Sequence, residues 1–173
     1  MKATAPSNLY ILRHGIAVEQ GTPGYAKDAD RPLTPEGERK LWQIAEAMAA
    51  LELRFDLILS SPYLRARQTA EIVAAAFKAR KQLDFSDHLT PGGDTKKLVE
   101  LLNRLEPPPE NVLLVGHEPY LSGLISLLVA GNESLFVVLK KGGLCKLTVE
   151  SLKPGRCAAL EWLLTPKQMA LMA

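Results

Sequence analysis

The stretch Leu9-Tyr10-Ile11-Leu12-Arg13-His14-Gly15 decides how the whole chain is read. Four apolar residues in a row make a short strand buried on both faces. The run then stops on a guanidinium, an imidazole and a glycine. In an open α/β sheet, ligands collect at the carboxyl ends of the strands, so Arg13 and His14 are expected at the mouth of a crevice. Gly15 lets the chain turn sharply and brings main-chain N–H groups close to whatever binds there. A neutral imidazole is a competent nucleophile, and a guanidinium fork matches phosphate oxygens. His14 is accordingly the candidate nucleophile for a phosphoryl group, with Arg13 as part of its clamp.

Downstream, residues 16–33 form a loop rich in Gly, Pro and Asp. Its length without periodicity points to a functional loop rather than a connector. Thr34-Pro35 opens a helix, cap residue first and proline at the first helical position. Leu41, Ile44, Ala45, Met48 and Leu51 then recur at helical spacing. Residues 55–60 read as a second strand, and Ser61-Pro62 repeats the cap-plus-proline signal, so a helix carrying Leu64, Ala70, Val73, Ala74 and Phe77 is expected within a residue or two. Arg65 falls in or just after its first turn. Residues 82–85 give a third strand, and Asp94 or Thr95 caps a short helix bearing Leu98, Leu101, Leu102 and Leu105.

Three prolines, Pro107 to Pro109, stop that helix. Residues 112–115 are the clearest buried strand, ending on Gly116-His117-Glu118-Pro119, from which a helix runs to about Ala130. Strand alternating with helix is the pattern of a parallel sheet with right-handed crossovers. The end of the chain differs. Residues 145–151, a turn at Lys153-Pro154-Gly155 and residues 157–164 read as an antiparallel hairpin added at one edge.

A length of 173 residues implies one domain over 1–173 with chain enough for a full core. The net charge of +2, from 21 basic and 19 acidic residues, suggests no nucleic-acid surface. No uncharged apolar run approaches a membrane span, and Met1–Ser7 lacks the apolar core of a secretory signal. Cys145 and Cys157 read as buried thiols in a reducing cytoplasm. Lys96-Lys97 and Lys140-Lys141 read as surface charge, and His88 as a loop histidine without a role.

Arg13-His14, Arg65 and His117 share one property: each follows an apolar strand at its carboxyl end. Parallel strands gather them on one side of the sheet. Helix N-termini near Pro62 and Pro119 add N–H groups and positive dipole ends. Such a cage favours a dianion, and phosphoryl transfer needs mainly positioning and charge stabilisation. No metal or other cofactor is required, and three histidines at this spacing match no zinc-ligand pattern.

The chain resembles the histidine phosphatase superfamily, with the phosphoglycerate-mutase-like fold, and within it the small bacterial phosphohistidine phosphatases of the SixA type. The resemblance rests on Leu-Arg-His-Gly (12–15), Arg-Pro-Leu-Thr-Pro-Glu-Gly (31–37), Ser-Ser-Pro-Tyr-Leu-Arg-Ala-Arg-Gln-Thr-Ala (60–70), Leu-Thr-Pro-Gly-Gly-Asp (89–94) and Val-Gly-His-Glu-Pro (115–119). It implies a three-layer α/β/α sandwich in which His14 takes the phosphoryl group while Arg13, Arg65 and His117 hold its equatorial oxygens. Mutase-like relatives carry a proton-donating acid on an insertion after the second-arginine helix, but residues 78–91 are too short for one. Acid-phosphatase relatives place an Asp directly after the second histidine. Glu118 stands there and is the candidate acid, alongside its other reading as a carboxylate serving the following helix. Asp94 is the second candidate, with helix capping as its alternative. Phosphohistidine has a leaving group that solvent can protonate, so a P–N bond needs less help. A missing insertion also implies an open pocket, suited to a phosphorylated side chain on a protein. The expected activity is a cytoplasmic phosphohistidine phosphatase. A small-molecule phosphomonoesterase and a non-catalytic phosphate-binding module are the alternatives.

Overall fold

A computed structural model describes residues 7–173; the signal-peptide reading of Met1–Ser7 falls outside these except for Ser7. Six strands form one sheet: β1 (Asn8–Arg13), β2 (Leu57–Ser60), β3 (Leu83–Phe85), β4 (Asn111–Gly116), β5 (Leu144–Val149) and β6 (Ala158–Leu164). Their order is β3-β2-β4-β1-β5-β6. The pairs β2–β3, β2–β4 and β1–β4 are parallel, while β1–β5 and β5–β6 are antiparallel. The fold is thus mixed α/β, a mostly parallel sheet with an antiparallel hairpin at one edge.

Period-two alternation sorts the side chains of the sheet onto two cores. Leu9 and Ile11 of β1, with Val112 and Leu114 of β4, face α3 (Thr95–Asn103) and α4 (Tyr120–Ala130). Tyr10 and Leu12, with Leu113 and Val115, face α1 (Pro35–Ala50), α2 (Leu64–Ala76) and α5 (Pro166–Ala170). Helices on both faces make the three-layer sandwich. The connection leaving β1 runs through α1 on one face, and that leaving β4 runs through α4 on the other. Between these neighbouring strands the winding reverses, and such a reversal opens a crevice at the carboxyl ends. Arg13 pairs with Gly116 at that edge, and the His14 amide donates to the Gly116 carbonyl at 3.0 Å.

Local chemistry explains the element ends. Thr34 caps α1, its hydroxyl accepting the Gly37 amide at 3.0 Å. Asp94, not Thr95, caps α3 by accepting the Lys97 amide. Gly131 ends α4 at φ 83°, a left-handed position that glycine adopts without strain.

Three expectations need correction. Ser61 does not cap α2: the helix begins at Leu64, after Tyr63, without a side-chain cap, because the Ser61 hydroxyl is committed to the Tyr63 amide and to His117. Pro119 stands just before α4 rather than inside it. Within the loop at 16–33, Asp28–Asp30 make a 3₁₀ turn and Ala17 pairs with Leu33. Cys157 is only half-buried, in contrast to the fully buried Cys145; both are free thiols. The hairpin strands are also shorter than expected, and the capped helix α5 follows them.

Candidate active site

Three adjacent strand tips build the site. His14 follows β1, His117 follows β4, and Ser61 follows β2 on the far side of β4. Arg65 reaches in from the first turn of α2. His14, Arg65 and His117 are 5%, 3% and 1% exposed, so all three are held inside the protein rather than on its skin. The two imidazole rings lie 5.1 Å apart between centroids.

The tautomer of His14 follows from its partners. Nδ1 lies 2.7 Å from the Gly15 carbonyl oxygen, which can only accept, so Nδ1 carries the proton. Arg65 Nε–H donates to Nε2 at 3.2 Å, so Nε2 presents its lone pair. Burial pushes the His14 pKa down from 6.5 to about 3; the Gly15 carbonyl opposes the shift, and His117, Arg65 and Arg13 add to it. The imidazole is therefore neutral at physiological pH, with a nucleophilic nitrogen pointed at a guanidinium.

His117 is lowered to about 3 as well, first by burial and then by Arg65. Its Nε2 sits 2.8 Å from the Ser61 hydroxyl, while its Nδ1 is buried with no partner among the described residues. The Nε of Arg13 is likewise buried and unpartnered among them, and its Nη1 donates to the Leu139 carbonyl at 3.1 Å. Each of these two buried polar atoms, without a partner among the described residues, is free to donate a hydrogen bond to something else.

Sequence reasoning missed the groups that position these residues. Thr69, fully buried on α2, accepts the Gly15 amide at 3.1 Å and donates to the Arg65 carbonyl at 2.7 Å, tying the glycine turn to the arginine. Asp28 accepts Arg65 Nη2 on Oδ2 at 2.9 Å, while its main-chain carbonyl accepts Nη1 at 2.7 Å. Its other oxygen takes Arg31 Nε and Nη2. Burial alone would raise the Asp28 carboxyl, but the bonds from Arg31 and Arg65 outweigh it and hold the group below its usual range. The length of the 16–33 loop was the only signal that could have pointed to Asp28.

Glu118 is half-buried at the head of α4, where Oε1 accepts the Ser122 amide at 2.9 Å. It also lies close enough to Arg13 to favour that guanidinium's charge. Asp94 is held below its usual range, chiefly by the Lys97 amide, and is exposed at the start of α3. Among the described residues no group of three or more His, Cys, Asp or Glu could hold a metal ion, and no helix is long and apolar enough to cross a membrane.

The sequence matches the model of the histidine phosphatase superfamily (branch 1) over residues 9–90. It is 41% identical over 140 residues to an uncharacterised protein of Picosynechococcus sp., covering 80% of this chain and 83% of that one. It is 30% identical over 125 residues to the phosphohistidine phosphatase SixA of Escherichia coli (strain K12), covering 72% and 75%. The structure of the protein histidine phosphatase SixA complexed with tungstate superposes with a TM-score of 0.78 at 25% identity, over 92% of this chain and 97% of that chain. The neutral, buried His14 under its arginine and these likenesses lead to one conclusion: the chain belongs to the histidine phosphatase superfamily and is a hydrolase of the phosphatase type.

Proposed function

We propose that the protein is a metal-independent phosphohistidine phosphatase of cytoplasmic proteins, working through a phosphohistidine on His14. One observation carries the reading: Nε2 of a neutral, buried His14 lies 3.2 Å from Arg65 Nε, with its tautomer fixed by Gly15. Nε2 attacks phosphorus, a new N–P bond forms, and the substrate P–N bond breaks. The departing imidazole keeps the bonding pair and takes a proton from solvent. Water then attacks the phosphorus on His14, the N–P bond breaks, phosphate leaves and Nε2 regains its lone pair. Arg13, Arg65 and the unpartnered Nδ1 of His117 stabilise the equatorial oxygens, and Gly15 gives the strand tip its turn. Preorganised donors aimed at that charge supply most of what phosphoryl transfer asks of a protein. A similar protein, the protein histidine phosphatase SixA, has been solved complexed with tungstate, a tetrahedral oxyanion, which is the class of ligand this reading requires.

A protein substrate suits a site that no inserted subdomain covers. Between α2 and α3 the chain has only two 3₁₀ turns and the three-residue β3, with no inserted subdomain. Free thiols at Cys145 and Cys157 fit a reducing compartment.

The test is rapid quench with a labelled phosphodonor. A base-stable, acid-labile label should appear on the protein and be absent from His14→Ala; unlabelled protein with unchanged hydrolysis in that variant would end the proposal. Glu118 supports a second reading, hydrolysis of phosphate esters, because its carboxylate lies beside Arg13. If Glu118 were the acid, Glu118→Gln would lose far more turnover on esters than on phosphohistidine. Its bond to the Ser122 amide argues for the helix-serving role.

A further inference from the structure

Between α4 and β5 the chain does something costly. Phe136 is 98% exposed and Val138 65%, whereas Val137 packs on the core and Leu139 is 2% exposed. Single apolar residues on a surface are ordinary, but here two neighbours in one short segment share the exposure, with Leu135 partly exposed beside them. The segment is not a loose loop. The Leu135 amide donates to the buried Ser126 hydroxyl at 2.9 Å, which in turn donates to the Asn132 carbonyl at 2.7 Å. At the other end, the Leu139 carbonyl accepts Arg13 Nη1 at 3.1 Å. Pinned at both ends and anchored by Val137 and Leu139, the chain displays Phe136 and Val138 in a fixed place, one residue from a contact with the arginine beside the nucleophile.

The same segment continues into Lys140 and Lys141, which border a cavity of about 720 Å³. Lys40, Lys167, Leu41 and Ile44 also line it, and no acidic residue does. The Gly142 amide donates to the carbonyls of Arg13 and His14 at 3.0 and 3.1 Å, so this basic edge is fastened to the catalytic strand tip too.

We propose that residues 135–141 are the docking surface for the phosphorylated protein, which brings an apolar patch to Phe136 and Val138 and acidic side chains to Lys140 and Lys141. The inference rests on the protein-phosphohistidine reading above and adds where the partner sits. Continuity with Arg13 selects a protein over a lipid surface, because an occupant here must leave the catalytic mouth facing a phosphorylated side chain. Charge complementarity selects an acidic partner and makes its association salt-dependent.

Phe136→Ser and the double variant Lys140→Glu/Lys141→Glu test it, using two substrates: a histidine-containing phosphocarrier domain phosphorylated on its histidine, and free phosphohistidine. Both variants should lower kcat/KM for the carrier on the order of tenfold or more, through KM, as loss of an aromatic or charged anchor does. Turnover of free phosphohistidine and the melting temperature should stay unchanged. Unchanged carrier turnover overturns the proposal, as does an equal loss on both substrates, which would mean that the segment acts only through Arg13. Lost binding to phosphatidylserine vesicles with carrier turnover intact would assign the surface to membrane instead. If the unaltered protein hydrolyses the carrier no faster than free phosphohistidine, the protein-substrate reading itself fails, and the docking surface with it.

Discussion

The guanidinium of Arg65 has five N–H groups, and three are engaged: Nε–H by His14, one on Nη1 by the Asp28 carbonyl, one on Nη2 by the Asp28 carboxylate. Two remain for an incoming anion. Arg65→Ala should lower kcat on free phosphohistidine on the order of 10³ or more, by analogy with arginines that stabilise transferring phosphoryl groups. Arg65→Lys should recover little, because an ammonium cannot serve His14 and Asp28 with one planar fork. A steady-state loss below about tenfold in Arg65→Ala would remove the residue from the transition state. Because Asp28 already holds two of the guanidinium's donors, its carboxylate is expected to compete with an incoming anion for the fork. Asp28→Asn keeps an oxygen for Nη2 but drops the negative charge, so inorganic phosphate should inhibit that variant at severalfold lower concentration. Unchanged or weaker inhibition would show that Asp28 does not compete. Arg13, His14, Arg65 and His117 were legible in the sequence because each ends an apolar run or opens the helix after one. Asp28, Thr69 and Ser61 were not. Asp28 lies in a loop with no periodicity, Thr69 reads as one more residue of a helix, and Ser61 carries a capping signal that its bond to His117 overrides.

At the scale of elements, the junction of the β1 tip with α1 decides whether the site holds its shape. The Thr34 amide donates to the Ile16 carbonyl at 2.9 Å, and Gly37, one turn into α1, packs directly on that carbonyl. A Cβ at position 37 would meet the Ile16 backbone oxygen, which has no flexible side chain to yield. Gly37→Ala should therefore destabilise the protein by about 1–3 kcal/mol, as overpacking does, despite the better helix propensity of alanine. It should also reduce turnover, since Ile16 lies two residues beyond His14. Thermal melts and kinetics on one preparation check both effects, and an unchanged or raised melting temperature would refute the packing argument. The long helices were readable because buried side chains repeat at one period, and β1, β2 and β4 because each is a short apolar run buried on both faces. The helix α5 carries the same Thr-Pro opening as α1 but runs only five residues and buries one side chain, Met169, so periodicity had nothing to register. β3 is three residues at the sheet edge, and its bounds were correspondingly loose.

At the scale of the molecule, folding places two imidazoles inside a protein whose nearest charges are mostly arginines, and stability must then depend on pH. Burial, assisted by Arg65 and Arg13, takes both His14 and His117 from 6.5 to about 3. A folded-state value below the unfolded one means that the unfolded chain binds protons that the native protein refuses. Stability from these two groups is therefore fully present above pH 6.5 and is lost as the pH falls from there toward 3. Each histidine held neutral contributes a slope of about 1.4 kcal/mol per pH unit within that window. Asp28, held below its usual range by Arg31 and Arg65, adds loss of the same sign at the acid end. Urea denaturation between pH 7.5 and 5 should show stability falling with acid well before any carboxylate titrates. His117→Gln, which takes up no proton, should roughly halve the slope between pH 6.5 and 5, although its own stability at pH 7.5 is lower for the lost bond to Ser61. A flat profile, or one as steep in the variant as in the unaltered protein, would mean that the buried imidazoles accept protons at ordinary values. His14 would then be a cation at mildly acidic pH, with no lone pair to offer phosphorus.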